Sequence, residues 1–402
     1  MPKPRKAGRD YGGGSIYQRK DGMWIATIEA GWNEQGNRRR IQVSATTEDA
    51  VKVKVREKRR LLEIAGDTNV DPRATVKSWS DEWLTIIERK QRPHTFNSSK
   101  VAVRKWIVPT IGHKRFSQLN PADVRAVTSA QRVAGLSSST QLRTQSVLMS
   151  LLRAAALEGH PIAERIFKTE APGKASTDRR AMSVPEAVAV LGAATELLPH
   201  SSRTAAALLQ GMRQGEALGL TWPCVDLEAN ALTISWQLQP LPYRVTRDRS
   251  SGFRVPDGYE ARQLKGRWHL VRPKSKSGWR VIPIVPWMRA ALETWQEIAP
   301  DSEHELVWPT LDGGPTDPKL DDAEWYALQC TAGVGHPAGR YYRIHEARHT
   351  TATLLLEAKI DPAVIVAILG HSSIVTSQGY MHVDTRQSLD AMTAVAERLQ
   401  LG

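Results

Sequence analysis

At roughly 100–200 residues per domain, a chain of 402 residues has room for two to four cored domains, so its fold need not depend on disulfides or metals. Its 55 Lys/Arg against 42 Asp/Glu give a formal charge of +13 and a pI near 9.8, which points to a polyanionic partner and away from an acidic disordered chain. Two cysteines, Cys224 and Cys330, exclude a disulfide scaffold. The seven-residue apolar run Ala363–Leu369 falls far short of the about 20 residues of a membrane span. Met1–Lys6 is charged, with no apolar stretch behind it, so it does not read as a secretory signal. The expectation is a cytoplasmic protein with no membrane partner.

Residues 1–14 read as a basic, Gly-rich tail. From Ser15 to Val43, three short β-branched and aromatic segments are separated by the Asp21-Gly22 turn and the Asn33–Asn37 stretch, and a charged helix follows at about 47–64. Residues 1–66 hold 15 Lys/Arg and 8 Asp/Glu, so over half of the net charge sits in a sixth of the chain. The expectation is a small nucleic-acid-binding module, a three-stranded sheet plus helix. Its bland counterpart is a solvated surface. After a linker at 66–74, residues 75–168 read as a four-helix module. Val76, Trp79, Trp83, Ile86 and Ile87 share a face, and Asn120-Pro121-Ala122-Asp123 is a helix start. A second linker, 168–180, leads to a mixed α+β domain, 175–402, opened by the capping box Ser183/Glu186. Its expected helices are 184–197, 202–220, 286–298, 320–332, 345–358, 361–369 and 385–399. Its expected strands are 231–238, 267–273 and 279–284. The fold class is thus multidomain and mostly α, with small β-sheets.

Four segments of this last domain could carry chemistry. In Gly211-Met-Arg213-Gln-Gly-Glu216, the Arg and Glu open a helix, which alone could be a surface ion pair. In Pro273-Lys274-Ser-Lys276-Ser-Gly278, Lys276 falls at or near a hairpin tip, where most lysines are merely solvated. His345-Glu346-Ala347-Arg348-His349 matches the H-E-x-x-H zinc signature. However, no convincing third ligand accompanies it (His371 and Glu357 are the choices), and Arg213 and Arg348 would go unexplained. Last come Leu369-Gly370-His371-Ser372 and, nine residues after that His, Tyr380.

In this order the four segments resemble the tyrosine recombinases of the phage integrase family, strongly over about 180–390 and by architecture elsewhere. The resemblance implies a site-specific DNA recombinase that uses no metal or cofactor. It assigns Arg213 and Arg348 to the scissile phosphate, Tyr380 as nucleophile forming a covalent 3′-phosphotyrosine, His345 as base, Lys276 as general acid and His371 as a phosphate donor. His349 would support the fold of the box, and Glu216 would orient the neighbours of Arg213. The two preceding modules become an arm-type DNA-binding domain (1–66) and a helical core-binding domain (75–168). Arg38, Arg39 and Arg40, leading into the third strand, are the candidate arm-site contacts. The implied partners are double-stranded DNA attachment sites of core and arm types, three further protomers in a homotetramer, and, as accessories, a DNA-bending host factor and a directionality factor. The implied setting is the nucleoid of a bacterial host, with a phage or other mobile element as the DNA moved. The long segment 239–270 before the lysine, with Arg244, Arg247, Arg249 and Arg254, leaves Lys274 and Lys265 as alternates. Against this stand two other readings: a DNA-binding protein on an inactive recombinase scaffold, and a zinc metallopeptidase.

Overall fold

The structure, a computed structural model, describes residues 16–32, 38–65, 71, 73–173, 178–197, 200–273, 278–370 and 385–399. The chain divides into two compact units, Met1–Ser176 and Thr177–Gly402.

The first unit holds two cores. β1 (Ile16–Gln18), β2 (Trp24–Trp32) and β3 (Arg38–Ala45) form an antiparallel meander, covered by α1 (Glu48–Ala65). Alternation turns Ala26 and Ile28 of β2 to one face, where they meet Val51 and Val55, one turn apart on α1. The second core is helical: α2 (Val76–Glu88), α3 (Pro93–Ala102), α4 (Val108–Ile111), α5 (Pro121–Val133) and α6 (Ser138–Leu157). A π-helical segment, Val103–Ile107, joins α3 to α4, so the chain winds without a break from Pro93 to Ile111. Trp79, Trp83 and Ile87 pack against Leu148, Leu151 and Leu152, and the Trp79 indole donates to Leu151 O at 3.1 Å. The Asn120 cap behaves as the sequence indicates: its side chain accepts from Ala122 N at 2.8 Å, and Asp123 reaches back to Asn120 N at 3.0 Å.

The second unit opens with α7 (Val184–Glu196), whose N-terminus is closed by Ser183 and Glu186. Then follow α8 (His200–Leu208), α9 (Gln214–Leu218), β4 (Val225–Asp226), β5 (Ala231–Ile234), β6 (Gln237–Pro240), β7 (Ala261–Gln263), β8 (Trp268–Val271) and β9 (Arg280–Pro283). The remaining elements are α10 (Pro286–Ile298), α11 (Pro318–Thr331), α12 (Ile344–Glu357), α13 (Pro362–Leu369) and α14 (Thr385–Arg398). The strands make two sheets, β4-β5-β9 and β6-β8-β7. α8 is the central helix: Ala205, Ala206, Ala207 and Leu208 are sealed beneath α7, α10 and α12. Among the described residues no helix is long and apolar enough to cross a membrane.

Two expectations need correction. The single helix over 202–220 is two helices, α8 and α9, separated at Leu209–Arg213. Gly211 makes the break: it takes φ +57°, and a Cβ there would come within 2.5 Å of Leu369 Cδ2. The strands on either side of Lys276 do not pair with each other. β9 pairs with β5 and β8 with β6, because the expected strand 231–238 is itself broken at Ser235-Trp236 into two pairing segments. The expected hairpin of 267–273 with 279–284 is therefore not formed, and Lys276 itself lies outside the described residues. Among the described residues Lys265 lies in a hairpin turn, between β7 and β8. The C-terminal helix α14 forms where expected, with Ala391, Met392, Val395 and Leu399 in the core beside α12, α13 and β9.

Candidate active site

The break between α8 and α9 builds the site. With the helix interrupted, Arg213 becomes the residue that caps α9, and Glu216, three residues on, reaches back to it. Glu216 accepts from Arg213 N at 2.9 Å and from Arg213 Nη1 at 2.5 Å. Gln214 pins the same helix start to α11, donating to Pro318 O and to Asp321 and Asp322 at 2.9–3.0 Å. The carbonyl of Gly211, freed from helix pairing, accepts from Arg348 Nη1 at 2.6 Å.

α12 supplies Arg348 and His345. The sequence places them three apart, on one face of the helix. Arg348 is 2% exposed, and its Nη2 donates to Leu369 O, while its Nε is buried without a partner among the described residues. Arg213 Nη2 donates to Gly370 O at 2.7 Å. A third arginine, Arg280 of β9, donates from Nε to Ile368 O at 2.7 Å. Three guanidiniums thus bind three successive carbonyls, Ile368, Leu369 and Gly370, at the C-terminal end of α13. These are carbonyls that a helix end leaves without intrahelical partners. Their negative partial charge suits the cations.

Among the described residues Glu216 is the carboxylate that these arginines share, and it is 2% exposed. Arg280 Nη1 and Nη2 clamp it at 3.1 and 2.9 Å from the side opposite Arg213. Burial by itself would raise its pKa. The hydrogen bonds and charge of Arg280, with the charge of Arg213, outweigh burial and hold the carboxyl down to about 2. Arg348 shows the other side of the imbalance. Burial is the chief cause of its depressed pKa, and repulsion by Arg213 and Arg280 adds to it, pushing the guanidinium down to about 9. Among the described residues three cations face one anion, an imbalance that favours an entering anion.

His345 is exposed. Its pKa lies below the ordinary 6.5, first from desolvation and then from His349, Arg348, Arg179 and Arg213, so the ring is neutral near pH 7 and able to accept a proton. His349 sits one turn on, with ring centroids 5.2 Å apart and its Nε2 buried. Between them Glu346 is 1% exposed and fully engaged. It accepts from Arg340 Nη1 and Nη2 at 2.8 and 2.9 Å and from Arg343 N at 2.7 Å, and these partners overcome burial to bring its carboxyl to about 2. A carboxylate held in that way caps α12 and cannot serve as the general base that the H-E-x-x-H reading requires.

Of the sequence candidates, Arg213, His345 and Arg348 come together here. Lys276, His371 and Tyr380 lie outside the described residues, as does the alternate Lys274. Gly370, whose carbonyl Arg213 holds, precedes His371 in the sequence. Lys265 is exposed, and its ammonium is tied to Asp312 at 2.7 Å. In the first unit, Arg40 is exposed opposite Glu29 on the β2–β3 ladder. Arg38 pairs with Trp32, and the side chains of Arg38 and Arg39 are outside the description. Sequence reasoning missed Arg280 and Arg340. The signal for Arg280 was available: alternation along Arg280-Val-Ile282-Pro puts the charge on the same face as a core isoleucine, which demands a buried partner.

A model of the phage integrase family matches residues 186–387. An integrase of Saccharopolyspora erythraea is 25% identical over 413 aligned positions, covering 92% of this chain and 93% of that protein. An integrase of Streptomyces ambofaciens is 26% identical, covering 94% of each. Tyrosine recombinase XerC of Methylobacterium sp. (strain 4-46) is 25% identical over 81% of this chain and 95% of its own. Among solved structures, the Tn1549 transposon integrase in complex with transposon right-end DNA aligns at TM-score 0.60 and 17% identity, covering 81% of this chain and 99% of that one. A lambda integrase tetramer bound to a Holliday junction aligns at TM-score 0.54 and 16% identity, covering 93% and 99%. These two structural likenesses bear on the fold.

Proposed function

The chain belongs to the phage integrase family of tyrosine recombinases, and on that premise we propose that it integrates and excises a phage or other mobile element by cleaving and rejoining DNA through a covalent 3′-phosphotyrosine at Tyr380. The observation that most supports this reading is the meeting of Arg213 and Arg348 on the carbonyls of Leu369 and Gly370, which brings three of the four motif segments to one place.

The chemistry needs no metal and no ATP. Tyr380 Oη attacks the scissile phosphorus in line, and its proton passes to neutral His345. The bond from phosphorus to the 5′ oxygen breaks, and that oxygen takes a proton from Lys276. Charge that builds on the non-bridging oxygens meets the guanidiniums of Arg213 and Arg348, with His371 as a further donor. Reversal with the 5′-hydroxyl of a different strand reseals the backbone and frees the tyrosine. Lys276 suits the acid role better than Lys265. The hydrogen bond to Asp312 raises the Lys265 pKa and so makes its proton harder to give up.

The two preceding modules read core and arm DNA: 75–168 the core site and 1–66 the arm sites, with Arg38, Arg39 and Arg40 on the sheet. The relatives of known structure were captured on DNA, one of them as a tetramer on a Holliday junction, and four protomers on two duplexes are the assembly we assign here. A bending factor and a directionality factor complete the reaction in the nucleoid of a bacterial host.

The test is recombination by the purified chain between two duplexes that carry the DNA flanking its gene, in EDTA and without ATP. Reciprocal junctions are expected. Tight binding with no junctions and no strand cleavage would instead make the chain a DNA-binding protein on an inactive scaffold. Loss in EDTA with recovery in Zn²⁺ would restore the metallopeptidase reading.

A further inference from the structure

Between β6 and β8 the chain makes an excursion, residues 241–267, with seven Lys/Arg against three Asp/Glu. It is an ordered arm. The Tyr243 and Phe253 rings stack at 5.0 Å, and His269 meets Phe253 edge-on at 4.3 Å. Arg244 N donates to Gly252 O at 3.0 Å, and Arg254 N to Pro242 O at 2.9 Å. Asp248 closes the tip by accepting from Ser250 N at 2.9 Å. The root of the arm is fixed beside the candidate site. β6 lies so close to α9 that a Cβ on Gly219 would be 2.6 Å from Leu238 N, and α9 is the helix that Arg213 caps.

Arg244, Arg247 and Arg249 are exposed at the tip, and among the described residues Arg247 and Arg249 meet no carboxylate. Arg247 also takes φ +69°, a left-handed conformation that is unfavourable for most residues with a side chain and suits Gly or Asn. Its own fold gains nothing visible from that side chain. A strained backbone carrying an exposed, unpaired charge points to use outside the chain.

We propose that Arg244, Arg247 and Arg249 form a second phosphate-binding surface of the catalytic unit, which grips the backbone of the duplex being recombined, away from the cleaved phosphate. This rests on the recombinase reading above. The fork of a guanidinium matches a phosphodiester, and three cations on one rigid turn match the regular spacing of charge along DNA. The side chains lie outside the catalytic set, so the arm contributes to holding DNA and not to the chemical step.

The experiment compares the full-length protein with Arg247→Gly and with Arg244→Ala/Arg249→Ala. Each is titrated with a core-site duplex over a range of salt, melted thermally, and assayed for covalent adduct on saturating DNA. Arg247→Gly is expected to melt at the same temperature or higher, yet to bind DNA more weakly, with a salt slope smaller by about 0.9. The double variant is expected to lose about twice that slope, with a melting temperature lowered only by the loss of the exposed hydrogen bond from Arg244 Nε to Phe253 O at 3.3 Å. Adduct yield on saturating DNA stays at the wild-type level in both. Variants that keep wild-type affinity and slope overturn the proposal while leaving recombination by the wild type intact. A defect confined to assembly on two duplexes, with single-duplex binding unchanged, also overturns it and makes the arm a contact between protomers. A wild type that neither binds nor cleaves the core duplex fails the recombinase reading itself.

Discussion

Arg213, Arg280 and Arg348 crowd one carboxylate, and the consequences can be measured side chain by side chain. Arg213→Ala or Arg348→Ala should each lower the cleavage rate by about 10²–10³, the loss expected for one preorganised donor to a developing oxyanion. Lys at either position should restore little, because an ammonium cannot make the forked contact. Single-turnover cleavage of a nicked duplex gives the numbers, and a near-wild-type rate in either alanine variant would remove that arginine from the phosphate. Arg280 acts through Glu216. The Glu216 carboxyl is depressed from 4.5 to about 2, so the stability it contributes is complete above pH 4.5 and disappears as pH falls from there through 2. Arg280→Met removes the hydrogen bonds that do most to lower that pKa and leaves a buried charge half-paired. The variant should lose about 3–5 kcal/mol at neutral pH, and its acid unfolding should begin at a higher pH than in the wild type. Thermal melts between pH 3 and 7 would show this, and identical acid transitions would mean that Glu216 does not depend on Arg280.

The decisive elements are the interrupted helix α8–α9 and the end of α13, which meet at Gly211 and Leu369. Gly211→Ala would place a methyl group against Leu369 and force a left-handed alanine. The expected destabilisation is about 2–4 kcal/mol, from conformational strain and overpacking together. Cleavage should fall by more than stability explains, since both carbonyls that hold Arg348 would shift. Calorimetry and single-turnover cleavage measured on the same protein separate the two, and a stable, fully active Gly211→Ala would show that the break does not position Arg348. This break was poorly legible in the sequence. The apolar pattern runs on through Leu208, Leu209, Met212, Ala217 and Leu220 at helical spacing, and a lone glycine in such a pattern is usually tolerated. The strands misled for a similar reason. Ala231–Leu238 alternates like one strand, and only the pairing partners divide it in two. Helix starts with a side-chain cap, at Asn120 and Ser183, were legible because the cap is a local hydrogen bond that needs no tertiary contact. The three site residues Arg213, His345 and Arg348 were found from motif order, whereas Arg280 answers to partners distant in sequence, Glu216 and Ile368.

Over the whole molecule, charge is divided unevenly and so should function be. Residues 1–66 carry 15 of the 55 Lys/Arg, while Arg213, His345 and Arg348 all lie beyond the boundary at 176. Deleting 1–66 should leave cleavage of a short core duplex near its original rate. It should weaken binding to long attachment-site DNA and reduce the salt slope by about 0.9 per lost phosphate contact. An unchanged slope on long DNA would leave the first module as a solvated basic surface. The claim that ties all scales together is the covalent step, and one measurement reaches it directly. A duplex nicked so that the cleaved strand diffuses away traps the adduct, which is digested and mapped by mass spectrometry in the wild type and in Tyr380→Phe. The account predicts a 3′-phosphodeoxynucleotide on the peptide containing Tyr380, and no adduct in the Phe variant despite nearly unchanged DNA binding. An adduct that persists in Tyr380→Phe, or maps to another residue, would contradict it.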